Sequence, residues 1–320
     1  MNKKINYQEE KSLIMIYTLT LSPSSDLLIK SDKFELEEVN RYKDFMLLPG
    51  GKGINASVIL ERHGFNNIAL SVFDKNTLDS FKEIFEKENV KIQNIDHPDK
   101  TRINIKYYGA QNSFELNGPR TVLNSNLKSQ ISEKLNKLTS QDILLIMGIS
   151  DEEFLFDILN ILNKNKVNFV IDVDSSKFKE FLSFKPFVVK PNIDELQRNL
   201  QVQIKNENDL INSMKEIQEL GAKNVIVSMD KNGSYLLTDQ NEIFKANIIK
   251  PINIVSSTGA GDTMISIFSA NYLKSNNAKE SFKLSNSAAM GTVASEWVGD
   301  LFKTQEYLEN VKVEKLELKK

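Results

Sequence analysis

Short apolar runs recur along the chain, and most are followed by a stretch with helical spacing. Leu13–Leu21 (LIMIYTLTL), Asn67–Phe73, Asp142–Met147 (DILLIM), Val167–Val173, Phe187–Lys190 and Asn224–Ser228 each predict a buried strand. Between and after them, periodic segments predict helices over Ile54–Arg62 (ended by Gly64), 78–88, 127–138, 152–163, 176–183, from Asn192 onward, and 207–220, which stops at Gly221. A β-meander through 234–248 precedes helices near 262–274, 279–296 and 303–311. Strands alternating with helices predict an α/β fold with a mainly parallel sheet covered on both faces. No internal repeat or low-complexity tract interrupts the pattern.

Two stretches break the alternation. Residues 27–48 mix apolar and charged positions without helical period, which predicts short strands of a partly exposed sheet. Thr101–Gly109 (TRINIKYYG) has period two, with Ile103 and Ile105 on one face and Arg102, Asn104 and Lys106 on the other. That polar face is either a solvated edge or a surface turned to a ligand, and Phe114–Leu116 is placed to pair with the same strand. Residues 1–12 read as a solvated tail, and Met15 opens the first apolar run, so it is a candidate start.

Composition narrows the function more than the fold. The chain has 320 residues, is 40% hydrophobic and 26% charged, and can bury a large core. A formal net charge of −2 argues against broad binding to nucleic acid or to acidic membranes. No apolar run approaches a bilayer span, and no signal peptide is visible, so a cytoplasmic protein is expected. With no cysteine, disulfides, thiolate catalysis and cysteine–zinc sites are excluded.

Candidate chemistry gathers at the glycines. Gly259-Ala260-Gly261-Asp262 follows a β-branched run and opens an apolar-periodic segment, which predicts a tight turn entering a helix. Such a turn brings backbone close to a ligand and aims unpaired N–H groups at it, with Asp262 in the first helical turn. A plain connector with a dipole-favouring acid fits the spacing equally well. Pro49-Gly50-Gly51-Lys52-Gly53 is a second glycine-rich turn leading into a helix. Lys190-Pro191-Asn192-Ile193-Asp194-Glu195 puts Asn192 and Glu195 on one helix face, where they could hold a hydrated Mg²⁺ beside phosphates or simply form a capping box. Ser228 to Gly233 is a turn at the end of a predicted strand, a common ligand position in open α/β sheets. Lys52, Arg102 and Lys106 are cations suited to phosphate, or scattered surface charge. Lys52 is followed by Gly53, so there is no P-loop signature, nor is there a dinucleotide fingerprint after the first strand. His63 and His97, the only histidines, suggest no metal cluster.

Taken in order, Leu21–Asp26, Gly50–Asn55, Thr101–Lys106, Val189–Glu195 and Gly259–Asp262 resemble the ribokinase-like carbohydrate kinase family. Within it they are most similar to the branch of 1-phosphofructokinase and tagatose-6-phosphate kinase, and Thr101-Arg-Ile-Asn104 looks more like the former. The resemblance implies a three-layer α/β core over residues 15–320, with a small β-sheet lid from about 28–48 and 99–117 and residues 1–14 as an extension. It implies a kinase that uses ATP and Mg²⁺ to phosphorylate a sugar phosphate, with fructose 1-phosphate the leading acceptor. Tagatose 6-phosphate, or a degenerate homologue that binds without catalysis, is the alternative. Lid sheets of this family can clasp in a homodimer.

By position, Asp262 would be the general base, and the N–H groups of Gly259, Ala260 and Gly261 would stabilise the moving phosphoryl group. Asp26, Gly50, Gly51, Lys52, Asn55 and Asn104 match sugar-binding positions, with Arg102 and Lys106 near the sugar's existing phosphate. Lys190, Asn192, Ser228, Gly233 and Asn286 match the nucleotide site, and Asn192 and Glu195 the Mg²⁺ position, with the ion held through water. The chain departs from the family pattern at Ser22, at Leu70–Asp74, at Met147–Asp151 and at Asp230, where a glycine is usual.

Overall fold

The structure, a computed structural model, describes residues 14–109, 112–149 and 151–317. The extension expected over 1–14 therefore lies almost wholly outside the described residues. Among the described residues fourteen strands form two sheets. In chain order they are β1 (Met15–Thr20), β2 (Ser24–Ser31), β3 (Asp44–Gly50), β4 (Asn67–Ser71), β5 (Lys91–Asn94), β6 (Arg102–Gly109) and β7 (Ser113–Asn117). There follow β8 (Asp142–Met147), β9 (Asn168–Asp172), β10 (Val188–Val189), β11 (Asn224–Ser228), β12 (Ser234–Leu237), β13 (Ile243–Ile248) and β14 (Val311–Leu316). The helices are α1 (Lys52–Arg62), α2 (Lys75–Ser80), α3 (Lys82–Lys87), α4 (Ser125–Leu135), α5 (Glu152–Lys164) and α6 (Phe178–Leu182), then α7 (Ile193–Leu200), α8 (Glu207–Glu219), α9 (Ala260–Ser275), α10 (Ala278–Val293) and α11 (Leu301–Glu306).

The large sheet runs β14-β13-β12-β11-β10-β9-β8-β1-β4-β5. Pairings from β5 to β11 are parallel, and β12 to β14 add an antiparallel edge. Successive strand residues point to opposite faces, so each central strand feeds two cores. Ile143 and Leu145 pack toward α1, α9 and α10, whereas Leu144 and Ile146 pack toward α4, α5 and α8. Helix α5 shows how a period of 3.6 is used. Phe154, Leu155, Ile158, Leu159 and Leu162 form its buried stripe, each worth roughly 1.5–3 kcal/mol of burial. Asp151 caps the same helix by accepting from Phe154 N at 3.0 Å.

From β1 the chain goes to β4 on one side of the sheet and later to β8 on the other. That reversal leaves a crevice at the carboxyl ends of the strands, the place where open α/β sheets bind ligands. Thr20, Met147, Asp172, Lys190 and Ser228, at or just beyond the ends of β1, β8, β9, β10 and β11, all line it.

The small sheet, ordered β3-β2-β6-β7, stands over this crevice. Its register gives two unlike faces. Asp26 lies across from Asn104, and Arg102, Asn104 and Lys106 face the cleft. Leu27 pairs with Leu47 and with Ile105, and Ile105 with Leu116, on the other face. There Phe45, Leu47, Ile103 and Leu116 are exposed. The polar stripe of β6 is thus the sheltered one and the apolar stripe the uncovered one. Two further contacts tie the small sheet to the segment before α9: Tyr108 Oη lies 2.9 Å from Ser256 Oγ, and Thr258 Oγ1 donates to Glu115 Oε1 at 2.8 Å.

Several boundaries differ from expectation. The helix expected over 78–88 is two short ones, α2 and α3, and α1 starts two residues earlier, at Lys52. Strands β5 and β14 have no counterpart in the sequence reading, which had a helix running to 311. Both are edge strands, where charged residues blunt the apolar signal.

Candidate active site

A cleft of about 1350 Å³ lies between the two sheets, and it gathers the motifs into one place. Every residue that the sequence assigned a catalytic, binding or metal role lines it except Gly50. Gly50 sits behind Asp26 instead: a Cβ there would come within 2.3 Å of Asp26 Oδ1, so the carboxylate needs a residue with no side chain at this point.

Helices α1 and α9 both begin at the cleft with glycine N-caps, Gly51 and Gly259, and neither has a side-chain cap. Their first-turn N–H groups are left for something other than protein side chains. Gly259 takes φ +82°, a left-handed conformation that glycine adopts without strain. In the first turn of α9, Asp262 is buried and accepts from Asn55 Nδ2 at 3.4 Å. The other end of that amide accepts from Trp297 Nε1 at 3.2 Å. Burial pushes the Asp262 carboxyl up to about 6; Lys52 nearby pulls it down and Asp172 pushes it up further.

Asp172 was not marked by the sequence reading, where it is one residue inside the end of the predicted buried strand Val167–Val173. It is the centre of the site's charge. Its Oδ2 accepts from Lys52 Nζ at 3.0 Å, and its Oδ1 lies 3.6 Å from Lys190 Nζ. Burial alone would raise the Asp172 carboxyl, but Lys190 and Lys52 together hold it below the usual range. The same carboxylate pushes the Lys52 ammonium up. Two cations and two carboxylates therefore meet at the mouth of α9, an arrangement that can accept a proton and balance phosphate charge.

Asn192 and Glu195 form the capping box of α7: Asn192 Oδ1 accepts from Glu195 N at 2.8 Å, and Glu195 Oε2 accepts from Asn192 N at 2.9 Å. Both still line the cleft, and among the described residues Glu195 Oε1 has no protein donor. Among the described residues no group of three or more acidic or histidine side chains could cage a metal. This donor set fits an ion held largely by water and phosphate oxygens, not a protein-caged one. Ser228 is held beside Asn192 by a β-bridge. Asn286 is committed inward, with Oδ1 accepting from Ser234 Oγ at 2.7 Å and Nδ2 donating to Phe282 O at 2.9 Å. It shapes the wall behind Gly233. Both histidines have protein partners, as expected of structural residues.

Across the cleft, Asp26 accepts from Ser24 Oγ at 2.6 Å, Asn104 Nδ2 at 2.9 Å and Lys106 Nζ at 2.7 Å. Lys106, expected near a phosphate, is paired with this carboxylate. Arg102 donates to the Ser22 and Gly118 carbonyls, while its buried Nε has no partner. Burial lowers its pKa, and the neighbouring Arg120 adds to that lowering. Arg120 also lines the cleft and was not marked from sequence, because it follows a Gly-Pro loop with no motif of its own.

The departures from the family pattern are built in. Phe73 is fully buried, and Asp74 accepts from Thr101 N at 2.8 Å, fixing the residue before Arg102. Burial would raise the Asp74 carboxyl, but its hydrogen bonds to Thr77 and Thr101 hold it well below the usual range. Ser22 Oγ accepts from Thr121 N at 3.1 Å, beside Arg120.

Fold and cleft together define an α/β phosphotransferase: uncapped helix N-termini, paired lysines and an elevated carboxyl converge where the strand order reverses. The chain belongs to the pfkB family of carbohydrate kinases, whose profile matches residues 13–304. It is 31% identical over 282 residues to a 1-phosphofructokinase of Borreliella burgdorferi, covering 87% of this chain and 91% of that one. It is 30% identical over 306 residues to the 1-phosphofructokinase of Bacillus subtilis, covering 94% and 100%. A D-tagatose-1-phosphate kinase of Klebsiella oxytoca is 26% identical over 306 residues, covering 94% and 100%. Among solved structures, Escherichia coli phosphofructokinase-2 in complex with substrates and products superposes with a TM-score of 0.85 at 24% identity, over 92% of this chain and 99% of that one.

Proposed function

We propose that the chain is a 1-phosphofructokinase, converting fructose 1-phosphate and ATP to fructose 1,6-bisphosphate and ADP. The observation that carries this reading is the cleft's division of labour: the elevated Asp262 with Lys52 and Lys190 on the large-sheet side, Arg102 and Arg120 on the small-sheet side. A sugar phosphate needs both, because one side must hold a phosphate already present and the other must receive a new one. The relatives named 1-phosphofructokinase, at 30–31% identity, support the choice of acceptor.

The acceptor hydroxyl gives its proton to the Asp262 carboxylate as its oxygen attacks the γ-phosphorus. The bond to the β-phosphate oxygen breaks and ADP leaves. The first-turn N–H groups of α9 and the two lysines balance charge on the moving group, which is mostly what phosphoryl transfer asks of a protein. A magnesium ion arriving with the nucleotide would screen its phosphates, with Glu195 and Asn192 nearest to hold its water. The small sheet serves as a lid, and the reaction is placed in the cytoplasm. A homodimer formed through the lid's outer face fits its apolar character; the neighbour phosphofructokinase-2 of Escherichia coli has been described as tetrameric in an inhibited form.

ADP release by purified protein with fructose 1-phosphate, tagatose 1-phosphate, tagatose 6-phosphate and fructose 6-phosphate tests the acceptor. Fructose 1-phosphate should give the highest kcat/KM. A higher value for either tagatose phosphate transfers the reading to that branch, and turnover of none of the four overturns it.

A further inference from the structure

The buried pair Asp26–Lys106 has a job that its position beside the arginines obscures. Both side chains are only 9% exposed, and Nζ lies 2.7 Å from Oδ2. The rest of the cluster is fixed. Asp26 Oδ1 carries the Ser24 and Asn104 donors, and Asn104 Oδ1 accepts from Gly118 N at 3.1 Å. A carboxylate offers about four acceptor positions and an ammonium three donors. Three acceptor positions on Asp26 and one donor on Lys106 are filled by protein. The pair is left with unfilled capacity of both kinds, side by side, on a wall of the cleft.

A phosphate group presents mainly acceptors. A phosphate drawn to the free Lys106 donors would sit against the Asp26 carboxylate, whose like charge repels it and whose open acceptor position it could not fill. A hydroxyl both donates and accepts, so it matches the pair as it stands. The anion's partners lie elsewhere, at Arg102, whose buried Nε is unpartnered, and Arg120.

We propose that Lys106 is a specificity residue that reads a sugar hydroxyl, donating to the hydroxyl oxygen while Asp26 accepts its proton, and that it does not hold the acceptor's phosphate. This rests on the sugar-phosphate kinase reading given above.

The test compares wild type, Lys106→Gln, the charge-balanced double variant Asp26→Asn/Lys106→Gln, and Arg102→Gln. The probes are fructose 1-phosphate, its single-deoxy analogues, and inorganic phosphate as a competitive inhibitor. In wild type one deoxy analogue should lose about 10- to 100-fold in kcat/KM, as expected for a hydrogen bond to a charged group. In Lys106→Gln, KM for fructose 1-phosphate should rise about tenfold or more, discrimination against that analogue should collapse to within about threefold, and the Ki of inorganic phosphate should stay within about twofold. Arg102→Gln should show the opposite, with the phosphate Ki rising about tenfold. The double variant buries no lone charge, so it tests the same discrimination should Lys106→Gln fail to fold. A phosphate Ki rising in step with KM in either Lys106 variant, or discrimination that survives in them, overturns the proposal. Wild type that turns over no sugar phosphate overturns the kinase reading instead.

Discussion

In the proposed mechanism, Asp262 owes its reactivity to what surrounds it. A carboxyl held near 6 is mostly ionised at neutral pH, yet basic enough to accept a proton. Replacing it with Asn should lower kcat by about 10²- to 10⁴-fold, the usual worth of a positioned base, while KM for both substrates stays within a few-fold. Wild-type kcat/KM should climb with pH and reach half its plateau near pH 6. The folded pKa of about 6 lies above the ordinary 3.8, so whatever the group contributes to stability is fully present below 3.8 and lost as pH rises through 6. Asp262→Asn has no charge to bury, so its Tm at pH 8 should be no lower than wild type. A drop in Tm at that pH would mean the carboxylate is needed structurally. At this scale the sequence was legible wherever glycine and acid stand together. Asp172 and Arg120 were illegible because nothing local marks them; only the pairing of β9 with β10, which leads into Lys190, and the approach of Lys52 from the start of α1 turn an aspartate at the end of β9 into the hub of two lysines. Lys106 was visible, but its partner was not.

The helix start is the working element. A Cβ on Gly261 would lie 3.0 Å from Lys190 Nζ, the far end of a flexible chain, and not from backbone. Gly261→Ala should therefore fold with a stability change under about 1 kcal/mol, since Ala is the better helix former. It should displace the ammonium from Asp172 and raise KM for ATP about tenfold. Gly259→Ala differs, because φ +82° is strained for alanine and costs about 1–2 kcal/mol. Thermal melts alongside kinetics separate the two, and equal losses of Tm would refute the distinction. Element types were mostly legible from periodicity, because buried strands and amphipathic helices have to show it. The exceptions are instructive. Lys91–Asn94 and Val311–Leu316 carry charge at edge positions, and on β6 the alternation was read correctly while its direction could not be, since which stripe is sheltered depends on the large sheet beneath.

For the molecule as a whole, the uncovered stripe of the small sheet is the feature still lacking a partner. Phe45, Leu47, Ile103 and Leu116 are 42–61% exposed on one pleated face, more apolar surface than a monomer's lid needs. The homodimer proposed above would cover it. Ile103→Glu with Leu116→Lys should shift the protein to a monomer in analytical ultracentrifugation without lowering its Tm by more than a few degrees; an unchanged sedimentation coefficient would place any interface elsewhere. The large sheet, by contrast, was predictable as an architecture from the order of its elements alone, because parallel strands require crossover helices.

The chain contains a single tryptophan, and that residue touches Asn55, the side chain that also touches Asp262. The protein thus carries its own optical probe two hydrogen bonds from Asp262, the proposed base. Indole emission should change in intensity or wavelength when the cleft fills, giving stopped-flow rates for binding without any label. In Asn55→Ala the response to acceptor should shrink to less than about half. A response of undiminished size would mean that Trp297 senses the cleft by another route.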